Sequence, residues 1–171
     1  MKISWADILT LSRLFITPLL IFTILNDYKY LSAFLVVFTL ITDWLDGILA
    51  RKLNAVTNYG KLLDPAIDKI FTISVLTAFV EKHFISSFIV FLIVTREILI
   101  TWLRTVMVNK GKVVSASNLG KLKTTLQFIA ILLLSLSMKF EGNIFIWLSI
   151  IVAYISAFEY FKLFFREKVW T

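Results

Sequence analysis

Residues 43–68 read DWLDGILARKLNAVTNYGKLLDPAID, and this stretch carries most of the information about the fold. Asp43 and Asp46 lie three positions apart, and Asp64 and Asp68 lie four positions apart. Residues at these spacings share one face of a helix. The stretch therefore predicts two antiparallel neighbouring helices, joined by a short loop, whose paired carboxylates can meet across the gap.

The sequence on both sides of this stretch is apolar enough for a membrane protein. Of the 171 residues, 59% are hydrophobic and only 17% are charged, whereas a soluble domain is about half apolar. A membrane helix needs about 20 apolar residues. Six runs qualify, over approximately residues 8–26, 30–50, 62–81, 84–106, 121–138 and 143–165. We expect an all-α fold, an integral membrane bundle of six transmembrane helices, forming a single domain over residues 1–171. The first run is expected to be a retained helix and not a cleaved signal peptide.

Basic residues are distributed unevenly between the predicted loops. One side of the membrane carries Arg51, Lys52, Lys61, Arg104, Lys110, Lys112, Lys121, Lys123, Lys162, Arg166 and Lys168. The other side has only Lys29, Lys82 and Lys139. The positive-inside rule places the first set, both termini and the aspartates at the cytoplasmic side. The net charge of +7 then favours anionic headgroups and phosphorylated substrates as partners, and not nucleic acid.

The four carboxylates predict a metal site. Asp43 and Asp68 lie within apolar sequence, where an unpaired carboxylate costs about 2.5–3.5 kcal/mol on insertion scales. Two divalent ions would compensate the charge, in the arrangement used for displacement at phosphorus. The chain has no cysteine and one histidine, so the ligands are oxygens, which favours Mg²⁺, Mn²⁺ or Ca²⁺. Helix capping is the alternative, and it fits only Asp64, which precedes Pro65.

Small residues and one arginine accompany the aspartates. Gly47, Ala50 and Gly60 are each four positions from an aspartate of the stretch. They are expected to line the same cleft, where a nucleotide and its phosphates approach the backbone. Arg51 can hold a phosphate through its guanidinium. Helix packing for the small residues and snorkelling for the arginine are the alternative roles.

Together these residues resemble the signature of the CDP-alcohol phosphatidyltransferase family at all eight positions, Asp43-x2-Asp46-Gly47-x2-Ala50-Arg51-x8-Gly60-x3-Asp64-x3-Asp68. The resemblance implies a six-helix membrane homodimer with a polar cavity that opens to the cytoplasm. It implies that two Mg²⁺ or Mn²⁺ ions are held by Asp43, Asp46, Asp64 and Asp68. It further implies that Asp68 deprotonates the acceptor hydroxyl. The implied CDP-binding residues are Asp46, Gly47, Ala50, Arg51 and Gly60.

A second group of residues indicates which alcohol accepts the phosphatidyl group. The runs Thr95-Arg96-Glu97 and Leu103-Arg104, and later Gly120-Lys121-Leu122-Lys123-Thr124 and Gln127, resemble one bacterial subgroup of the family. That subgroup transfers phosphatidyl from CDP-diacylglycerol to glycerol 3-phosphate, which implies the cytoplasmic membrane of a bacterium. An arginine inside an apolar span is costly unless it is paired or serves a polar cavity. The expected binding residues for the acceptor phosphate are Arg96, Arg104, Lys121 and Lys123, of which Lys123 is equally explained by the positive-inside rule.

Other functions stay open on the sequence. Within the family, the alternatives are a cardiolipin synthase, which uses phosphatidylglycerol, and a phosphatidylinositol phosphate synthase, whose acceptor is also phosphorylated. Outside enzymes, the alternative is a cation transporter, because intramembrane carboxylates also mark ion paths. A transporter would place them near the midplane, whereas these cluster at one interface. Arg13 is expected at the cytoplasmic rim, and Glu159 in the last span has no assigned role.

Overall fold

The computed structural model describes residues 5–52, 58–111 and 117–166, and within these ranges the side chains of residues 5–10, 43, 44, 46–52 and 58–65 lie outside the description. The described residues form α1 Trp5–Leu25, α2 Lys29–Lys52, α3 Asn58–Glu81, α4 Ser87–Asn109, α5 Asn118–Ser135 and α6 Lys139–Arg166. The predicted all-α fold of six helices is therefore confirmed over these residues.

Local capping sets helix ends that hydropathy cannot locate. Helix α4 begins at Ser87 because Ser86 is its N-cap, with Oγ accepting a hydrogen bond from the backbone N–H of Phe88 at 3.2 Å. Helix α5 begins before its apolar run because the Oγ of Ser117 accepts from the N–H of Gly120 at 3.1 Å. Each cap therefore shifts a helix start by a few residues from the predicted position.

Helices α1, α3 and α5 end in the same kind of turn. Asp27, His83 and Ser137 follow these helices with φ of 60°, 55° and 63°, in the left-handed region. At the end of α1, the N–H groups of Asp27 and Tyr28 donate to carbonyls of the last helical turn at 3.2 and 2.9 Å. The turns after α3 and α5 repeat this pair of bonds. The pattern is the Schellman motif, which satisfies carbonyls that a helix end would otherwise leave unpaired.

These turns meet at one end of the bundle. The Nζ of Lys82 lies 2.6 Å from Oδ2 of Asp27, and this hydrogen bond lowers the pKa of Asp27. Asn143 donates from Nδ2 to the carbonyl of Phe84 at 2.9 Å, and Lys139 places Nζ 4.1 Å from the centroid of the Phe84 ring. Lys82 and Lys139, two of the three lysines predicted on the less basic side, therefore lie at the same end of the bundle, as the charge distribution predicts.

The bundle core is built by packing of α1 against α2 and α3, of α4 against α3 and α6, and of α5 against α2 and α6. The contact between α5 and the start of α6 requires a glycine. A Cβ at Gly142 would lie 2.6 Å from Cγ of Leu134 on α5, and Leu134 is fully buried. Gly142 therefore permits the close contact between these two helices.

Large apolar side chains cover much of the outside of the bundle. Phe15 on α1, Phe34 on α2, Ile98 on α4 and Phe158 on α6 are all more than 60% exposed. By length and composition, α6 is the one helix among the described residues that is long and apolar enough to cross a membrane. Shorter apolar stretches run over Leu11–Leu25 and Lys29–Thr42. Six helices are therefore confirmed over the described residues, while six membrane spans stay a prediction.

Candidate functional site

The four aspartates occupy the two helices that the sequence predicts. Asp43 and Asp46 lie towards the end of α2, and Asp64 and Asp68 lie in the first half of α3. Because α3 begins at Asn58, Asp64 lies inside the helix, and the capping alternative for Asp64 is wrong. The side-chain positions of Asp43, Asp46, Asp64, Gly47, Ala50, Arg51 and Gly60 lie outside the described residues.

Asp68 is the member of this set whose side chain is described. It is 53% exposed, and its Oδ1 accepts a hydrogen bond from a terminal guanidinium nitrogen of Arg13 on α1. Arg13 is itself only 4% exposed. The pair links α1 to α3 and holds a carboxylate that is about half exposed.

The position of Arg13 differs from the expectation that it lies at the rim. It is buried because α1 packs against α3 and brings the guanidinium to Asp68. The signal for this pair is in the sequence, since Arg13 interrupts an apolar run as Arg96 does. A charge in such a run needs a partner, and this holds for Arg13 as it does for Arg96.

A second cluster joins α4 and α5 around one carboxylate. Oε1 of Glu97 accepts a hydrogen bond from Arg96 at 3.0 Å and another from Nζ of Lys123. The Nε of Arg96 donates to the carbonyl of Ala153 on α6 at 3.2 Å. The side chains of Arg96, Lys123 and Glu97 are 6%, 9% and 19% exposed. Two predicted phosphate-binding cations are thus brought together by Glu97, which is not among the predicted binding residues.

Arg104 lies further along α4 and is held by a tyrosine. Its Nη2 donates to the hydroxyl of Tyr160 on α6 at 2.6 Å, and its Cζ lies 4.9 Å from the centroid of the Tyr160 ring. The N–H of Ser117, which caps α5, donates to that hydroxyl at 3.1 Å. Within the described part of the chain, the buried Nε of Arg104 has no hydrogen-bond partner. A donor of this kind is suited to an anionic ligand.

Two other polar residues stand apart from these contacts. Lys121 is exposed near the start of α5, and no side-chain hydrogen bond or ion pair among the described residues joins it to the Glu97 cluster. Glu159 is also exposed, on the outside of α6. Of the residues predicted to bind the acceptor phosphate, the structure therefore brings together Arg96 and Lys123. Arg104 lies two turns beyond Arg96 on α4, and Lys121 lies apart from the other three.

These contacts define an α-helical protein with an anchored carboxylate on α3 and buried cations on α4 and α5, an arrangement suited to a phosphate-bearing ligand. The sequence model of the CDP-alcohol phosphatidyltransferase family matches residues 3–155. The chain belongs to this family, which confirms the resemblance seen in the aspartate signature.

The chain is also similar to bacterial proteins named CDP-diacylglycerol–glycerol-3-phosphate 3-phosphatidyltransferase. It is 38% identical to that of Bacillus subtilis (strain 168) over 138 residues, covering 77% of this chain and 72% of the relative. It is 35% identical to that of Wigglesworthia glossinidia brevipalpis, with 98% of each chain covered. It is 33% identical to that of Aquifex aeolicus (strain VF5), with 94% of this chain and 98% of the relative covered.

Proposed function

We propose that this chain transfers the phosphatidyl group of CDP-diacylglycerol to glycerol 3-phosphate, giving phosphatidylglycerophosphate and CMP. It is a phosphatidyltransferase by family, and the relatives that cover nearly all of its length are named for this reaction. The observation that carries the choice of acceptor is the pair of buried cations, Arg96 and Lys123, that share the single carboxylate of Glu97.

The charge of that cluster favours a phosphorylated acceptor. Two buried cations and one carboxylate leave an excess positive charge, and Arg104 adds another two turns along α4. Buried charge needs a partner. A phosphate monoester supplies it, with bidentate geometry at an arginine, whereas a neutral alcohol does not. Lys121 is kept in the proposed acceptor site because it lies near the start of α5, the helix that carries Lys123.

The proposed metal site uses all four aspartates. Asp43, Asp46, Asp64 and Asp68 offer only oxygen donors, which suit Mg²⁺ or Mn²⁺, and the side chain of Asp68 is 53% exposed. Two ions, when bound, would neutralise charge on the pyrophosphate and on the leaving phosphate. The proposed CDP-binding residues are Asp46, Gly47, Ala50, Arg51 and Gly60.

The proposed reaction is a displacement at phosphorus. Asp68 accepts the proton of an acceptor hydroxyl, which requires only hydrogen-bond reach between the two groups. The acceptor oxygen forms a bond to the phosphorus that carries the lipid, and the bond from that phosphorus to the CMP oxygen breaks. Arg13 holds Oδ1 of Asp68 and so fixes the direction in which the carboxylate points.

The apolar exterior supports a membrane location for this chemistry. Exposed aromatic and branched side chains on α1, α2, α4 and α6 are suited to lipid. We propose six membrane spans, with both termini and the site at the cytoplasmic face, and a homodimer as the family resemblance implies. The acyl chains of the donor would then stay in the bilayer while the acceptor and CMP exchange with the cytosol.

The function is tested by CMP release from purified protein in detergent with CDP-diacylglycerol and Mg²⁺ or Mn²⁺. The acceptors are glycerol 3-phosphate, inositol phosphate, phosphatidylglycerol and none. Release with glycerol 3-phosphate alone, abolished by a chelator, is the expected result. Release with a different acceptor only would refute the proposed acceptor, and no release with any acceptor would favour the cation transporter.

Asp68→Asn tests the proposed base. The amide cannot accept the hydroxyl proton, so kcat should fall at least about 100-fold, while binding of CDP-diacylglycerol is largely kept. Asp27→Asn, at the opposite end of the bundle, is the matched control and should keep its kcat. Substantial residual turnover by Asp68→Asn would remove Asp68 as the base.

A further inference from the structure

Lys69 is the neighbour in sequence of the proposed base and is not among the proposed metal, CDP-binding or acceptor-binding residues. It follows Asp68 directly on α3 and is half-buried. Its Nζ donates a hydrogen bond to Oγ1 of Thr101 on α4. Thr101 in turn donates from Oγ1 to the backbone carbonyl of Glu97 at 2.7 Å. The ammonium of Lys69 therefore reaches α4 one helical turn from Glu97.

The polar residues that Lys69 meets form a stripe along α4. Glu97, Thr101, Arg104 and Thr105 are spaced by four, seven and eight positions from the first, which places them on one helix face. Glu97 carries its two bound cations at one end of this stripe, and Arg104 lies towards the other. Lys69 contacts the stripe between these two points, so a ligand that lies along it would meet the ammonium.

The charges near Glu97 match a phosphate monoester once Lys69 is included. Arg96 and Lys123 offset by Glu97 leave one net positive charge, and Lys69 raises it to two. A phosphate monoester carries about −1.5 to −2 at pH 7. A hydroxyl such as Thr101 is a weaker partner for an ammonium than a charged oxygen. The phosphate can therefore displace Thr101 from Lys69 at little loss.

We infer that Lys69 binds the phosphate of the acceptor together with Arg96 and Lys123. The inference rests on the proposed function and adds a binding residue to its acceptor site. Lys69 follows Asp68 directly on α3 but reaches α4, whereas Asp68 pairs with Arg13 on α1. The ammonium and the proposed base would therefore act on different groups of the acceptor. The ligand that this arrangement selects is an alcohol that carries a phosphate monoester.

The test compares Lys69→Met with Lys162→Met in the full-length protein. Lys162 is an exposed lysine of α6 and belongs to no part of the proposed site. Loss of a charge-assisted bond should raise the KM for glycerol 3-phosphate about 10-fold or more in Lys69→Met. The kcat and the KM for CDP-diacylglycerol should stay within about 2-fold, because the lost bond is made equally in the ground and transition states. Lys69→Arg should recover most of the affinity, and Lys162→Met should match wild type.

The outcomes separate this inference from the function on which it rests. A wild-type chain that uses glycerol 3-phosphate, with equal KM changes for both substrates in Lys69→Met, would refute the role of Lys69 alone. The same holds if Lys69→Met behaves as Lys162→Met does, or if only the KM for CDP-diacylglycerol rises. A wild-type chain with no release on glycerol 3-phosphate would overturn both. If Lys69→Met is not recovered as folded protein, Lys69→Gln replaces it and Lys69→Arg stays the conservative variant. The role of Lys69 then stands if Lys69→Gln raises the KM for glycerol 3-phosphate more than the KM for CDP-diacylglycerol, and it is refuted if the two KM values rise equally.

Discussion

Replacing Glu97 with glutamine should destabilise the protein, because it removes the carboxylate that, among the described residues, forms ion pairs with the buried Arg96 and Lys123. Oε1 of Glu97 accepts from Arg96 at 3.0 Å and from Lys123, and these two side chains are 6% and 9% exposed. Removing one partner of a buried ion pair costs about 3–5 kcal/mol. A glutamine oxygen still accepts hydrogen bonds, and Arg96 keeps its bond to Ala153. Because these hydrogen bonds persist, we expect a somewhat smaller loss, about 2–4 kcal/mol in the free energy of unfolding.

The assay is thermal unfolding in detergent, followed by tryptophan fluorescence, which the five tryptophans permit. For a chain of this size the loss corresponds to a fall in Tm of roughly 4–16 °C. Glu97→Gln with Lys123→Met is the matched control, because the second change removes one of the uncompensated charges. The double variant should be more stable than Glu97→Gln alone, with a coupling of about 1 kcal/mol or more.

Two results would refute this reasoning. A fall in Tm of less than roughly 2 °C for Glu97→Gln would mean that water already solvates the cluster. Strict additivity of the two changes would mean that Glu97 and Lys123 do not interact in the folded protein. Either result would also weaken the proposed acceptor site, because that site depends on cations that lack full compensation.

Three further predictions concern other parts of the structure. Tyr160→Phe removes the hydroxyl that holds Arg104, so the KM for glycerol 3-phosphate should rise several-fold with little change in the KM for CDP-diacylglycerol; equal changes would assign the tyrosine a purely structural role. Gly142→Ala should lower stability by about 1–3 kcal/mol through overpacking between α5 and α6, seen as a lower Tm, and an unchanged Tm would show that the helices separate easily. The pKa of Asp27 is lowered in the folded protein, so its pair with Lys82 stabilises the fold at any pH above the usual carboxyl pKa. This stabilisation is lost as the pH falls through the lower pKa that Asp27 has in the folded state. Asp27→Asn should therefore reduce the dependence of Tm on pH between the folded-state pKa and the usual carboxyl pKa.

The helices could be predicted from the sequence because long apolar runs fix them. The helix predicted over residues 30–50 is observed as α2 Lys29–Lys52, and the one predicted over 84–106 is observed as α4 Ser87–Asn109. The errors come from local hydrogen bonds. The start of α4 moves because His83 takes a left-handed conformation and Ser86 caps the helix, and neither effect appears in a hydropathy pattern.

The polar contacts were harder to predict because they join residues far apart in sequence. The pair of Arg13 with Asp68 depends on the packing of α1 against α3, and that of Arg104 with Tyr160 depends on α4 against α6. A single sequence shows that Arg96 needs a partner, but not which residue supplies it. Adjacent residues point about 100° apart on a helix, so Glu97 was a poor candidate by spacing. Its Oε1 nevertheless accepts from Arg96, and it accepts from Lys123 of α5 as well.

The left-handed turns at one end of the bundle offer a practical way to raise stability. His83 and Ser137 hold positive φ angles that glycine adopts without steric cost, so glycine at either position should gain up to about 1 kcal/mol. Both lie at the end of the bundle away from the aspartates and the buried cations. A protein carrying both changes would be a stabilised background in which weakened variants such as Glu97→Gln can still be purified and assayed.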